Sequence, residues 1–551
     1  MNLFSIALGI SYFVISRYSI LWDILGVILL ITLFENLLFI YFNLYKKNIL
    51  KGKTVLISYG YLVLIILAFL FMMLGNLLLS VTYSTSLLGN LGAYCMIYIS
   101  YFGILIYGIA FAINDLIKLS SVNLHSLNYN IVKIKLVKFV RIKRYLTKIL
   151  VILSRSTFYL GIVFAVVIIF GSFEFVTTII AIISGQFGIY FSFIFAANTI
   201  LLLKLKRRKR TTKKYYRTAI IGFFVSACLL MPLFLTNATA RNANKTFTSV
   251  FGGDWQERIP VSAGNYFLKT PFTLTGYFLG AQPKDCLIQK NIQFYDDEGI
   301  ELYFDAYMPL NGGISLPGEN STIIRIHGGS WVSGDKGMMN MLQVNKYFAA
   351  QGYVVFDIQY GLDTNPLFNL DPLTPDYQKG DFNIDDMLRH IGAFTHYLSN
   401  HSEDFGANLN SVFISGGSAG GQLASATGLA IASGNYTDIF SANLTIKGII
   451  PFYPANGAMK FFGIGGSLEF KNPENLITKD SPPCLIFQGT HDILNYFGIS
   501  QTFKNKYTAE GNNECAILWM PYGGHASDLF FSGYYNQIFL YFMERFLCIY
   551  H

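Results

Sequence analysis

The sequence predicts an α-helical membrane domain of about seven spans, followed by an α/β domain with a mostly parallel, doubly wound sheet. Three observations predict this order. Hydrophobic residues make up 53% of the 551 residues and charged residues only 13%, a composition typical of membrane proteins. Long apolar runs fill residues 1–235. From residue 288 onward, short apolar strands alternate with helical patterns, which is typical of a parallel sheet covered on both faces.

The charge of the chain divides near the same place. Residues 1–235 contain 23 Lys and Arg against 4 Asp and Glu, a formal net charge of +19, and residues 236–551 contain 18 against 28, a net charge of −10. The basic residues stand between apolar runs and not on a soluble face, so we expect no nucleic-acid partner. The six cysteines show no metal-binding spacing. We therefore expect no metal and no other cofactor, and free core thiols, with two disulfides as the alternative.

Seven apolar segments approach the length of about 20 residues that a spanning helix needs. They are Asn2–Ser16, Ile20–Phe42, Val55–Val81, Leu87–Ile113, Ile149–Gly171, Val176–Leu203 and Thr218–Leu235. Basic residues cluster on alternate connections, at Lys46–Lys53, Lys118–Lys148 and Lys204–Arg217. Because basic loops stay in the cytoplasm, the sequence predicts a cytoplasmic N-terminus and an extracytoplasmic region after Leu235. Six or eight spans remain alternatives, if the first segment does not cross or the 171–185 region folds differently.

Residues 236–287 are predicted to form a linker, a lid or a membrane-proximal segment between the two domains, 1–235 and 288–551. The stretch Phe267–Leu279 is rich in aromatic residues. It favours contact with the membrane surface, a lid over the site or plain packing, and these alternatives stay open. After it, Ile292–Tyr295 and Ile300–Tyr307 predict a hairpin. The later strands are predicted at Thr322–Ile326, Val354–Gln359, Val412–Ser415, Ile446–Phe452, Cys484–Gln488 and Ala516–Met520.

A Gly-x-Ser-x-Gly pattern is centred on Ser418, after one of these strands and before a run of small residues that predicts a helix. A strand, a tight turn and a helix in this order form a nucleophile elbow. Gly416 and Gly420 let the strand and the helix approach closely. The backbone N–H of Ala419 and the helix N-terminus would face a developing oxyanion.

A nucleophilic serine needs a base, and the base needs an orienting acid. Asp492 directly follows the predicted strand Cys484–Gln488, and His525 follows the last strand. The chain order Ser418, Asp492, His525 predicts an α/β-hydrolase triad, with all three residues at the carboxyl ends of parallel strands. His491 is a competing base, but it neighbours the acid and follows the wrong strand.

The second oxyanion donor is expected from the glycine turn at the end of the strand Thr322–Ile326. There, Gly328 and Gly329 leave bare N–H groups free to approach a substrate oxygen, opposite Ala419.

These motifs resemble the α/β-hydrolase esterases with a His-Gly-Gly oxyanion motif, and are similar to the hormone-sensitive-lipase-like and the feruloyl and acetyl-xylan esterase groups. The matching stretches are His327–Trp331, Gly416–Gly421, Gly489–Asp492 and Gly524–His525. The resemblance covers about residues 288–551 and extends to kynurenine formamidase. It implies hydrolysis of carboxylic esters without a cofactor, and a structural role for His327 in fixing the oxyanion loop.

The sequence thus predicts a membrane-anchored serine hydrolase that cleaves short acyl or acetyl esters. Its expected partners are the membrane and a small-molecule, glycan or lipid ester at the cell surface. Two alternatives stay open. The same triad could serve an amidase or formamidase, or the helical part could be a transporter or sensor with an accessory hydrolase domain.

Overall fold

A computed structural model of the chain describes residues 1–14, 20–43, 53–121, 137–205, 212–280, 285–364 and 374–551. The first part of these residues forms nine helices. They are α1 Asn2–Val14, α2 Ile20–Asn43, α3 Lys53–Ser80, α4 Leu91–Ser121, α5 Val137–Phe170, α6 Phe175–Gln186, α7 Gly188–Leu205, α8 Lys213–Leu229 and α9 Met231–Phe251.

Six helical segments of the described chain are long and apolar enough to cross a membrane. They are Ile20–Phe42, Ile57–Ser80, Leu91–Asn114, Thr147–Phe170, Gly188–Leu205 and Lys213–Phe251. Two shorter apolar helices, Asn2–Val14 and Val176–Gln186, accompany them. These findings support a helical N-terminal region with several apolar helices, and the number of crossings stays a prediction. Part of each basic cluster behind the predicted orientation lies outside the described residues, and the orientation also stays a prediction.

The predicted span Val176–Leu203 differs from the structure, which divides it at Phe187 into α6 and α7. Gly188 begins α7 so close to α8 that a Cβ there would lie 2.5 Å from the Leu229 carbonyl oxygen. Instead of continuing into α7, α6 runs along the C-terminal domain, with Ala181 packed against Gly524. Hydropathy marks both helices as apolar, because a helix buried against protein and one buried in lipid have the same composition.

The predicted boundary after Leu235 falls inside α9, which continues to Phe251. The chain then makes a 3₁₀ turn at Val261–Asn265 and a short helix, α10, at Leu274–Leu279. Tyr277, Phe278 and Leu279 are at most 1% exposed. The carbonyl of Tyr277 accepts a hydrogen bond from the Tyr190 hydroxyl at 2.8 Å, and Thr273 N–H donates to Gln537 Oε1 at 2.9 Å. The end of the aromatic stretch therefore packs between the helices and the C-terminal domain.

The C-terminal part is an α/β domain around an eight-stranded sheet with the order β1-β2-β4-β3-β7-β8-β9-β10. Its strands are β1 Leu287–Asp297, β2 Ile300–Met308, β3 Ser321–Ile326, β4 Val354–Ile358, β7 Asn408–Gly417, β8 Ile446–Phe452, β9 Cys484–Gly489 and β10 Cys515–Met520, with a small second sheet of β5 Leu362–Asp363 and β6 Lys379–Gly380. Only the pairings β1–β2 and β2–β4 are antiparallel among the described strands. The predicted hairpin and mostly parallel sheet are confirmed.

Helices cover both faces of this sheet, as the alternating strands require. They are α11 Met341–Ala349, α12 Ile384–Phe405, α13 Ala419–Ser433, α14 Leu468–Lys471, α15 Gly498–Ala509 and α16 Tyr534–Tyr550. In β7, Phe413 faces the core that contains α16, whereas its neighbour Ile414 faces the core that contains α12 and α13.

The helical part and the α/β domain share one hydrophobic core. Phe187 of the helical part stacks on Phe530 with ring centroids 4.7 Å apart. Farther along this contact surface, Phe247 of α9 lies 5.4 Å from Phe542 of α16. The fold therefore fixes the α/β domain directly on the helices.

Candidate active site

Ser418 occupies a sharp turn between β7 and α13, with φ 57° and ψ −119°. A non-glycine residue adopts such a backbone only under strain, which functional sites commonly hold. The flanking glycines cannot carry a side chain here. A Cβ on Gly420 would lie 2.2 Å from the Ile326 carbonyl oxygen, and one on Gly416 would lie 2.3 Å from that of Gly420. The strand and the helix therefore meet closely enough to hold the serine at the edge of the sheet.

The structure brings Ser418, His525 and Asp492 into one hydrogen-bonded chain. His525 Nε2 lies 3.1 Å from Ser418 Oγ, and His525 Nδ1 lies 2.9 Å from Asp492 Oδ2. These are the contacts that let an imidazole take a proton from a serine while a carboxylate holds its tautomer. His491, the competing base, instead lies 3.0 Å from Thr490 Oγ1 through Nδ1.

The carboxylate of Asp492 is fixed by its own loop. Its Oδ1 accepts hydrogen bonds from the backbone N–H groups of Leu494 at 3.0 Å and Asn495 at 2.9 Å. Only 2% of Asp492 is exposed. Both oxygens therefore have partners, and Oδ2 is left to orient His525.

The predicted oxyanion residues lie beside the serine. A Cβ on Gly328 would lie 2.8 Å from the Gly417 carbonyl and 3.4 Å from Ser418 Cβ, so this loop passes directly over the elbow. Gly329 has φ 119°, and a Cβ there would lie 1.8 Å from the Ser333 carbonyl oxygen. Ala419 opens α13 and is fully buried. Bare backbone from two loops therefore meets at the hydroxyl.

His327 lies under this loop and is fully buried. Its Nδ1 lies 2.7 Å from the Gly328 carbonyl, and its ring stacks on Tyr360 with centroids 4.5 Å apart. Burial lowers the pKa of His327, which keeps the ring neutral. The neutral ring donates its Nδ1–H to Gly328 and so ties the oxyanion loop to the core.

A cavity of about 160 Å³ opens beside Ser418, Gly328 and His525. This is close to the volume of a cavity that holds one benzene molecule. Several of its lining residues were not predicted from the sequence, and they are Arg325, Met338, Met339, Asn340, Met341, Phe452, Tyr453, Leu494 and Asp528. The cavity has room for a short acyl group.

One wall of the cavity is charged and buried. Arg325 is 3% exposed, and its Nη1 donates to Ser415 Oγ at 3.2 Å. Burial lowers the pKa of this guanidinium. Asp528 accepts a hydrogen bond from the Tyr453 hydroxyl at 2.8 Å, and burial raises the pKa of its carboxyl. A charged residue inside the apolar strand Thr322–Ile326 was the sequence signal that could have identified Arg325.

Tyr453 connects this wall to the triad. Its ring packs edge-on against His525 with centroids 4.7 Å apart. Its carbonyl accepts a hydrogen bond from Asn495 Nδ2 at 2.6 Å, and the same amide nitrogen lies 3.5 Å from Ser418 Oγ. In the described part of the chain, no group of three or more His, Cys, Asp or Glu side chains is arranged to hold a metal ion.

The loop that carries His525 rests on the helical part. The side chain of Gln186, at the end of α6, donates through Nε2 to the Ala526 carbonyl at 3.0 Å and accepts from Phe530 N–H at 2.7 Å. The acid loop also reaches a helix, since His491 Nε2 lies 3.3 Å from the Ile169 carbonyl of α5. The loops that carry Asp492 and His525 are therefore both in contact with apolar helices.

Comparison with known proteins extends this result. The model of a family described as BD-FAE matches residues 304–463, which include the oxyanion loop and Ser418 and end before Asp492. No curated protein matches the chain.

Solved structures of bacterial esterases also match. An esterase B from Lactobacillus rhamnosis, inhibited by a tributyrin phosphonate, is 20% identical over 45% of this chain and 79% of its own, with a TM-score of 0.35. The apo form of Thermogutta terrifontis esterase 2 is 19% identical over 48% of this chain and 91% of its own, with a TM-score of 0.36. The family match confirms the predicted resemblance to α/β-hydrolase esterases, so the chain contains an esterase-like hydrolase domain that is similar to the BD-FAE family over residues 304–463.

Proposed function

We propose that the chain is a membrane-anchored serine hydrolase that cleaves carboxylic esters with short acyl groups. The hydrogen-bonded chain from Ser418 through His525 to Asp492 is the observation that carries this proposal. The esterase-like domain gives it the reaction class, and the size of the cavity beside Ser418 favours a short acyl group.

The reaction follows from the geometry of these groups. Ser418 Oγ attacks the acyl carbon while His525 Nε2 takes the hydroxyl proton, and the N–H groups of Gly328, Gly329 and Ala419 stabilise the negative oxygen. The ester C–O bond then breaks, and His525 returns the proton to the leaving alcohol. Water, deprotonated by His525, attacks the acyl carbon of the acyl-enzyme. The bond to Ser418 Oγ breaks, His525 returns the proton to that oxygen, and the acid leaves.

The full-length protein in detergent tests this mechanism. We expect a fluorophosphonate probe to label Ser418 and p-nitrophenyl acetate to be hydrolysed, and we expect Ser418→Ala to lose both reactions. A Ser418→Ala variant as active as the wild type would reject the mechanism. Comparing p-nitrophenyl acetate with the matched anilide and with N-formylkynurenine separates an esterase from an amidase or a formamidase.

The proposed location follows from the predicted charge pattern. With a cytoplasmic N-terminus and an odd number of crossings, the hydrolase domain is extracytoplasmic. Protease added to intact cells is then expected to cleave the domain after Leu235, and complete protection would overturn this orientation.

A further inference from the structure

The loop that follows the catalytic acid exposes an apolar surface. Ile493 is 42% exposed, Leu494 48%, Tyr496 58% and Phe497 41%. Between them, Asn495 is buried and donates to the Tyr453 carbonyl. We call residues 493–497 the acid-side loop. Adjacent exposed apolar side chains of this size are uncommon on a water-facing surface and mark an interaction site.

This loop is held in a fixed conformation. Asp492 Oδ1 accepts hydrogen bonds from the N–H groups of Leu494 and Asn495, and Tyr496 packs on Phe497 with ring centroids 4.2 Å apart. The apolar side chains are therefore presented outward by the same contacts that hold the catalytic carboxylate.

The acid-side loop begins beside the end of an apolar helix. His491, two residues before Ile493, lies 3.3 Å from the Ile169 carbonyl, and a Cβ on Gly171 would lie 3.2 Å from the His491 ring. At this end of the helical part, Phe170 is 78% exposed and Phe173 69% exposed. The exposed apolar surface of α5 thus continues toward the exposed side chains of the acid-side loop.

Leu494 connects this surface to the chemistry, because it also lines the cavity beside Ser418. From these contacts we propose that the acid-side loop enters the headgroup region of the adjacent bilayer leaflet. The cavity beside Ser418 then opens toward the lipids of that leaflet. The substrate is then an ester that resides in the membrane, with a short acyl group on an alcohol that carries lipid tails. This inference rests on the proposed function.

The two parts of such a substrate would lie in two places, the acyl group in the cavity and the alcohol in the bilayer. A cavity of about 160 Å³ holds a short acyl group, whereas a lipid alcohol remains among the acyl chains next to Tyr496 and Phe497. Hydrolysis breaks the acyl C–O bond, so the short acid leaves to water and the alcohol stays in the leaflet. An aromatic pair with one hydroxyl suits the boundary between headgroups and acyl chains.

Two esters with the same acyl group separate this proposal from simple esterase activity. Full-length protein in phosphatidylcholine vesicles is supplied with p-nitrophenyl acetate or with a 3-acetyl-1,2-diacylglycerol in the bilayer, and the released acid is measured. For the Tyr496→Ser/Phe497→Ser variant, we expect the ratio of kcat/KM for the lipid ester to kcat/KM for the soluble ester to fall at least fivefold. A smaller change overturns the proposal.

The matched control is Ile314→Ser, which removes an exposed apolar side chain elsewhere. Ile314 is 80% exposed and lies between β2 and β3. This loop is at the amino-terminal end of β3, whereas Ser418 is at the carboxyl end of the parallel strand β7. Its substitution is expected to leave the ratio within twofold. If the wild type hydrolyses neither ester, or if Ser418→Ala is fully active, the proposed function is rejected instead.

A depth measurement tests the loop without relying on activity. A nitroxide at Tyr496→Cys, on a background in which the exposed Cys95 is replaced by serine, is compared in nanodiscs with one at Ile314→Cys. We expect the label at 496 to be relaxed more by oxygen than by a water-soluble nickel complex, and the label at 314 to show the reverse. Equal exposure of both labels to nickel overturns the proposal, and so does spin–spin broadening at 496, because the loop would then cover a second copy of the chain.

Discussion

Gln186 offers the sharpest test of whether the helical part supports catalysis. It is 1% exposed, and its side chain makes one hydrogen bond to the Ala526 carbonyl and one to the Phe530 N–H, on the loop that carries His525. The Gln186→Met variant keeps the length of the side chain but leaves the Phe530 N–H buried without a partner, while the Ala526 carbonyl keeps only the hydrogen bond from the Leu529 N–H. An orphaned buried donor costs about 1–3 kcal/mol, so the loop that carries His525 should lose about 1–3 kcal/mol of stability.

The effect on the rate follows from this loss. Each 1.4 kcal/mol of free energy needed to bring His525 back to its position beside Ser418 lowers the rate about tenfold. We therefore expect kcat for p-nitrophenyl acetate to fall about 5- to 100-fold in the full-length protein. KM should change less than threefold, because Gln186 itself does not line the cavity. The rate of Ser418 labelling by a fluorophosphonate should fall in parallel.

A buried polar group elsewhere in the helices provides the control. Asn198 of α7 is 2% exposed and donates to the Ser154 carbonyl at 2.9 Å, so Asn198→Leu removes one hydrogen bond within the helical part. It is expected to lower the thermal midpoint without lowering kcat more than threefold. If Gln186→Met lowers the thermal midpoint but keeps kcat within threefold of the wild type, α6 does not position the catalytic loop.

Three further outcomes are expected. Asp492→Asn should lower kcat on the order of 10⁴-fold in single-turnover kinetics, because an amide stabilises the wrong tautomer of His525. Gly329→Ala should lower kcat about 100- to 1,000-fold in steady-state assays, since its methyl group would lie 1.8 Å from the Ser333 carbonyl and displace an oxyanion donor. Burial and the neighbouring Asp305 raise the pKa of Asp357 from 3.8 to about 7, so its contribution to stability is full below pH 3.8 and is lost as the pH rises through about 7. Asp357→Asn should remove that dependence, seen as a smaller fall of the thermal midpoint between pH 5 and pH 8.

Most strands and helices of the α/β domain could be predicted, because local patterns determine them. The predicted strand Ile446–Phe452 matches β8 in full, and Cys484–Gln488 differs from β9 by one residue. The helical pattern of the sequence begins at Asn495, whereas α15 begins at Gly498. The first residues of that stretch are taken by contacts from elsewhere, since Asn495 binds the Asp492 carboxylate and the Tyr453 carbonyl. Because the stretch from Asn495 has a helical pattern, the sequence does not predict the loop that exposes Tyr496 and Phe497.

Ser418, Asp492 and His525 could be chosen from the sequence as candidates, because each lies on the loop after a strand whose end is readable. Their support could not, because it comes from distant parts of the chain. Gln186 and Ala526 are 340 residues apart, and no local pattern relates them. Arg325 stands out in the sequence as a charged residue within an apolar strand. Only the three-dimensional structure shows that it lines the cavity beside Ser418.

The contact between α9 and α16 has a consequence for the synthesis of the protein. Phe247 and Phe251 of α9 are completed by Phe542 and Phe546 of α16, which lies nearly 300 positions later in the chain. During synthesis, these aromatic rings of α9 emerge long before their partners exist. The growing chain therefore exposes these apolar rings until α16 has been translated. A truncation before α16 would leave Phe247 and Phe251 exposed to water for as long as the protein exists, which favours aggregation.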